Sequence, residues 1–277
     1  MKYFLFLLYT YKTDQTQFIQ KGIMKKKLRK WGLRLTATAL LIAGLLLTIL
    51  LNPILSYGNK TTYQQYSIYH NKPIGDQFRP MLDEVTGLLK KSEFYNPEMN
   101  NDICLNDGSC YPLLVEKLNG RAFARGFYNK VVIQANTNLA QNYAVIDEYR
   151  WNLTRLLAHE MVHCMQFDRL GFWHSNPVAA LPVWKWEGYA EYISRQSEQP
   201  NQLHDLINLF HRTDKDSWAV YLPDSTIIPR EYLAYRMLVQ YCMDIKRMSY
   251  SGLLKDTLSE EAIRQDMMKW HLFNKKN

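Results

Sequence analysis

Residues 146–170 read IDEYRWNLTRLLAHEMVHCMQFDRL. Trp151, Leu153, Leu156, Leu157, Met161, Val162 and Met165 recur there at helical spacing and Gly171 follows as a stop, which predicts one long helix from about Ile146 to Leu170. Inside it, His159-Glu160-Met161-Val162-His163 forms an HExxH motif. At 3.6 residues per turn the two histidines project from nearly the same face, about 6 Å apart along the axis, so both imidazoles can reach one ion. Glu160 lies beside them and can touch a water on that ion without ligating it. Zn2+ suits such a set, because it accepts two neutral imidazoles and a carboxylate, and a fourth position left to water makes a nucleophile near neutral pH.

Such a site needs a third ligand. The metzincin arrangement HExxHxxGxxH fails here, since Gln166 stands where its Gly belongs and Arg169 where its third His belongs. His174, past Gly171, matches no ligand spacing. Downstream lies Trp184-Lys185-Trp186-Glu187-Gly188-Tyr189-Ala190-Glu191-Tyr192, in which Glu187 and Glu191 are again four apart on a predicted helix. One of them can bind the metal while the other hydrogen-bonds a ligating imidazole from behind. An exposed acidic face is the competing reading. It is disfavoured because Trp184, Trp186, Tyr189, Ala190, Tyr192 and Ile193 leave that helix mostly apolar, and an unpaired buried carboxylate is costly.

HEMVH followed by WKWEGYAEY resembles the gluzincin metallopeptidases, the thermolysin-like (peptidase-MA) group, over roughly residues 120–245. The resemblance implies an α+β zincin-like metallopeptidase domain: a small sheet with the HExxH helix, followed by a mainly helical C-terminal part. It implies His159, His163 and Glu187 as zinc ligands, Glu160 as general base and Glu191 as the carboxylate behind a ligand. The segment Arg230–Tyr241 resembles the later helix that supplies an oxyanion-stabilising tyrosine, with Tyr232 matching best and Tyr235 second. An edge strand for an extended peptide or protein substrate is also implied, and VVIQAN (131–136) is suitably placed. The ligand spacing of His163 to Glu187 is longer than in several members, and Trp186 stands where an Asn often precedes the ligand Glu.

Outward from this centre, helical spacing predicts helices around 76–95, 184–197, 201–212, 230–246 and, from the cap-like Ser259-Glu260-Glu261, 260–272. GRAFARGF and VVIQAN predict two strands over 120–136 paired as a hairpin. Cys104 and Cys110, six apart in a polar turn, suggest a local disulfide if the body lies outside the cytoplasm, whereas Cys164 and Cys242 sit in apolar helical patterns. His204 and His211 read as ordinary polar positions of an amphipathic helix.

The chain has 277 residues, 47% apolar and 22% charged, enough for a hydrophobic core. Its formal charge of +8 is localised: residues 1–34 hold nine of the 34 Lys/Arg and one of the 26 Asp/Glu, leaving 25 of each in the rest. A neutral body argues against nucleic acid as a partner. Leu35–Leu51 (LTATALLIAGLLLTILL) carries no charge, and basic residues precede it. The pattern predicts a basic cytoplasmic tail (1–34), a transmembrane helix or signal anchor (35–57) and an extracytoplasmic body (58–277), with a cleaved secretory signal as the second choice. Met24, opening MKKKLRK, is a better start for such a signal than Met1. The expected function is a membrane-anchored zinc peptidase. A non-catalytic zinc-containing binding domain and hydrolysis of a cell-wall peptide are the competing readings.

Overall fold

The computed structural model describes residues 29–198 and 201–274 and divides into two compact units, Met1–Leu55 and Ser56–Asn277. In the first, helix α1 (Arg29–Leu51) has 23 residues and contains an 18-residue stretch with a mean hydropathy of 2.1. At 1.5 Å per residue it spans about 34 Å, enough for a hydrocarbon core about 30 Å thick. Length and composition fit a membrane-crossing helix and a signal sequence alike. The apolar helix starts before and stops short of the expected 35–57, because Asn52 precedes a proline and the residue before proline disfavours helical backbone. Residues 1–28, most of the expected basic tail, lie outside the described residues.

The second unit is a mixed α+β body. Five strands, β1 (Asn59–Tyr63), β2 (Tyr66–His70), β3 (Asn101–Cys104), β4 (Ala124–Phe127) and β5 (Lys130–Ile133), form one sheet in the order β1-β2-β3-β5-β4. The β2–β3 and β3–β5 pairs are parallel, and the expected β4–β5 hairpin is present, turning at Tyr128 with φ 58°. VVIQAN was expected at the edge. It instead supplies the interior strand β5, whose Val131, Val132 and Ile133 are fully buried, as a strand covered on both faces must be. The open edge beside the long helix is β4.

That helix, α4, runs Leu153–Leu170 and not from Ile146. Residues before it form an antiparallel meander, β6 (Asn136–Asn138), β7 (Tyr143–Ile146) and β8 (Tyr149–Asn152), with Asp147 at φ 53° in the last turn. Trp151 fell on the helical spacing by coincidence. The true start is Asn152, whose side chain accepts the Arg155 N–H at 3.1 Å as an N-cap. Helices α2 (Phe78–Leu89), α3 (Tyr111–Asn119), α5 (Val183–Ser194), α6 (Leu203–Arg212), α7 (Arg230–Gln240), α8 (Tyr250–Lys255) and α9 (Glu260–Asn274) complete the body, with a short hairpin, β9 (Ala219–Tyr221) and β10 (Ile227–Pro229), before α7. Ser259 caps α9 through Ala262 N–H. The expected Cys104–Cys110 disulfide is not formed: Cys104 is buried at the end of β3, while Cys110 is exposed at the start of α3, and all four cysteines are free.

α4 packs on β4 and α2, α5 packs on α4, and α7 packs on α5. The last crossing depends on Gly188. A Cβ there would lie 2.5 Å from the Tyr235 carbonyl oxygen and 2.8 Å from Val239 Cγ2, so the two backbones meet where only a hydrogen fits. Gly188→Ala should separate α5 from α7 at a cost of about 1–3 kcal/mol, read as a lower midpoint in thermal unfolding; an unchanged midpoint would refute the close crossing.

Candidate metal centre

α4 presents His159 and His163 from one face, one turn apart, and α5 brings Glu187 up to them. His159 Nε2 and His163 Nε2 lie 3.1 Å apart, and each is 3.3 Å from Glu187 Oε2. Donor atoms at 2.0–2.1 Å in a tetrahedron stand about 3.3–3.4 Å from one another, so this triangle has the dimensions of three corners around one ion. Among the described residues this is the group that can hold a metal ion. Both histidines are buried, and flat rings fix their planes: Tyr232 stacks on His159 at 5.8 Å and 6°, Trp186 on His163 at 5.5 Å and 10°.

The remaining ring nitrogens face acceptors. His163 Nδ1 is 2.8 Å from Gln166 Oε1. His159 Nδ1 is 3.1 Å from Glu191 Oε1, close enough for charge but out of line for a hydrogen bond, so both atoms keep unused bonding capacity. Glu191 is fully buried and forms an ion pair with Arg195. Arg195 continues to Glu198 at 2.7 Å, and Glu198 to Arg236 of α7 at 2.9 Å, with Trp151 under the Arg195 guanidinium at 5.5 Å. Burial would raise Glu191, but Arg195 and His159 outweigh it and hold its carboxyl down at about 2. Glu187 is likewise held well below the carboxylate range against burial by His163 and His159. Burial would lower His159, yet the facing Glu187 and Glu191 carboxylates raise it to about 10.

The two glutamates are held down by opposite charges, whereas the raised His159 reports a negative field at the point where the donors converge. Glu191 is balanced by Arg195, which leaves Glu187 and Glu160 as two carboxylates beside two imidazoles. A divalent cation balances that pair, and lone-pair nitrogens with one carboxylate oxygen are a donor set such an ion accepts. The site therefore fits a metal ion on spacing and on charge.

Glu160 is buried next to this group, and the Gly126 backbone N–H of β4 donates to its Oε2. A Cβ on Gly126 would sit 2.2 Å from the Glu160 carbonyl oxygen, so glycine is what lets β4 lie against α4. A cleft of about 690 Å³ opens over the site, bounded by β4, Trp186, Trp218 and Tyr232. His159, His163, Glu160, Glu187 and Tyr232 all line it, while Glu191 lies behind. Tyr235 is not in the cleft: its hydroxyl donates to Glu231 Oε1 at 2.6 Å. Burial and then the Glu187, Glu160 and Glu191 carboxylates push the Tyr232 phenol well up, so it remains a proton donor. His174 and His211 are exposed, and His204 pairs with His271 at 2.8 Å, away from the site.

Gly126, Arg195 and Gln166 were missed from sequence. A glycine inside a predicted strand was the available signal for the first, since it often marks close backbone approach; Arg195 carried only its i,i+4 spacing from Glu191. In comparisons with family models, curated proteins and solved structures, nothing matches this chain. Arg195→Met should strand Glu191 without its partner in a buried site, and breaking a buried pair this way costs about 3–5 kcal/mol; urea unfolding at neutral pH reads it, and a loss under about 1 kcal/mol would mean the pair is effectively solvated.

Proposed function

We propose that this chain is a zinc-dependent peptidase of the gluzincin type with a zincin-like body, anchored by α1 with its N-terminus in the cytoplasm and its body outside. The observation that carries this reading is Glu160: a buried carboxylate, held by a backbone N–H, beside a three-donor cluster at the floor of a cleft. A site built only to hold metal for stability needs ligands and has no use for an acid placed there.

His159, His163 and Glu187 would hold the ion. When bound, zinc supplies Lewis-acid polarisation of the scissile carbonyl and acidification of water. Glu160 accepts the proton of the attacking water and delivers it to the leaving amine. Tyr232, protonated and stacked on His159, donates toward the oxyanion that develops on the carbonyl oxygen.

β4 supports a peptide as substrate. Because the Gly126 N–H turns to Glu160 and away from β5, strand alternation puts the backbone groups of Ala124 and Gly126 on the open edge. The Ala124 N–H and C=O and the Gly126 C=O are then available to an extended chain laid along the cleft.

Elemental analysis of the purified chain should find about one zinc per molecule, sharply reduced in a folded Glu187→Ala variant. Glu160→Gln should keep the metal and lower peptide turnover about 10²–10⁴-fold; full turnover would remove Glu160 as the base, and zinc with no turnover on any peptide library would leave a non-catalytic domain. Tyr232→Phe should lower kcat about 10²–10³-fold with KM little changed, and an unaffected kcat would remove Tyr232 from the oxyanion role.

A further inference from the structure

We infer that Gln166 is a positioning residue for His163, setting the tautomer that leaves its Nε2 free for the ion and tying it to the backbone that carries Glu187. The inference rests on the metal-holding reading of the site and is independent of the reaction proposed for it.

Gln166 is fully buried, and each end of its amide is determined. Its Nε2 is 3.2 Å from the Trp186 carbonyl oxygen and 2.6 Å from the Tyr250 hydroxyl. A carbonyl oxygen only accepts, so the amide NH2 must face it and a flipped side chain is excluded. That leaves Oε1 facing His163 Nδ1 at 2.8 Å. An amide oxygen also only accepts, so the His163 proton sits on Nδ1. In the neutral ring Nε2 then carries the lone pair, and it is this atom that meets His159 Nε2 and Glu187 Oε2.

The anchor of Gln166 is built without the metal. The Tyr250 hydroxyl accepts from Gln166 and itself donates a hydrogen bond to the Lys185 carbonyl at 3.3 Å. Its ring stacks on Tyr189 at 3.5 Å and 3°, and its backbone N–H donates to Glu93 Oε2 at 2.6 Å. The Tyr189 hydroxyl is held in turn by Ser92 and the Glu93 N–H, each at 2.9 Å. Because Trp186 directly precedes Glu187, one amide clamps a ligand of α4 to the backbone beside a ligand of α5. The two imidazoles are thus backed differently, His159 by an ionised carboxylate paired with arginine and His163 by a neutral amide.

The test uses the full chain in detergent, labelled with 15N-histidine, as wild type, Gln166→Leu, Gln166→Met and Gln166→Glu, with folding checked by circular dichroism. Long-range 1H–15N correlation on metal-free protein reads the His163 tautomer, and competition with a chromophoric chelator reads zinc affinity. The wild type should show the Nδ1–H form. The Leu and Met variants should lose its dominance and bind zinc about 10–100-fold more weakly, and Glu, which returns an acceptor, should recover most of both; Met retains the side-chain volume if Leu does not fold. A folded Leu or Met variant that keeps the Nδ1–H form and binds within about twofold of wild type, well short of that range, overturns this inference alone. A wild type that takes up no zinc overturns the metal reading and this inference with it.

Discussion

Three electron-rich atoms, His159 Nε2, His163 Nε2 and Glu187 Oε2, share one buried space with 3.1–3.3 Å between them. Such a group draws in positive charge, as the raised His159 shows by holding a proton there, and no apolar packing force would gather these atoms. Their convergence becomes favourable around a positive charge, and much of the body is arranged to hold it. α4 supplies two corners from consecutive turns. α5 supplies the third from a separate stretch of chain, so the angle and spacing between these helices decide whether the triangle exists.

Two glycines permit that geometry by omission. Gly188 lets α7 come against α5, which brings Tyr232 over the His159 ring. Gly126 lets β4 come against α4, which places a backbone N–H on Glu160. Close approach of backbone to backbone thus lets Tyr232 and Glu160 reach the donor triangle. Behind the triangle, Glu191, Arg195, Glu198 and Arg236 alternate in sign from α5 to α7. Burial of such charges is tolerable only because each has an opposite neighbour.

The two histidines of the candidate metal centre were legible because a helix's periodicity is local: four residues of spacing put His163 over His159 whatever the rest of the chain does. The same logic failed one strand earlier, where Trp151 fits the helical spacing yet belongs to β8. Its hairpin is set by the turn at Asp147 and the cap at Asn152, and both compete locally with the longer helix. β4 and β5 were legible as strands, but their places in the sheet were not. Parallel pairing of β5 with β3 joins residues about 30 apart in sequence, and nothing in VVI announces a neighbour on each side. Strands β1 to β3 were not foreseen at all, since NKTTY is polar throughout and β3 has only four residues. The spacing of Cys104 and Cys110 suggested a bond that the packing prevents, one thiol being buried and the other exposed.

By itself, the sequence determined which residue types could meet a cation and that pairs of them share a helical face: His159 with His163, and Glu187 with Glu191. It also determined an apolar helix near the N-terminus, because a charge-free run is a property of consecutive residues. Tertiary structure alone decided that Glu187 faces Nε2 while Glu191 lies behind Nδ1, that Tyr232 and not Tyr235 enters the cleft, and that β4 is the open edge. It also decided that Gln166, which sequence marks only as a departure from a glycine, accepts a hydrogen bond from His163 Nδ1–H. These choices depend on the orientation of whole elements, and that orientation comes from burial and close backbone approach between segments far apart in the chain.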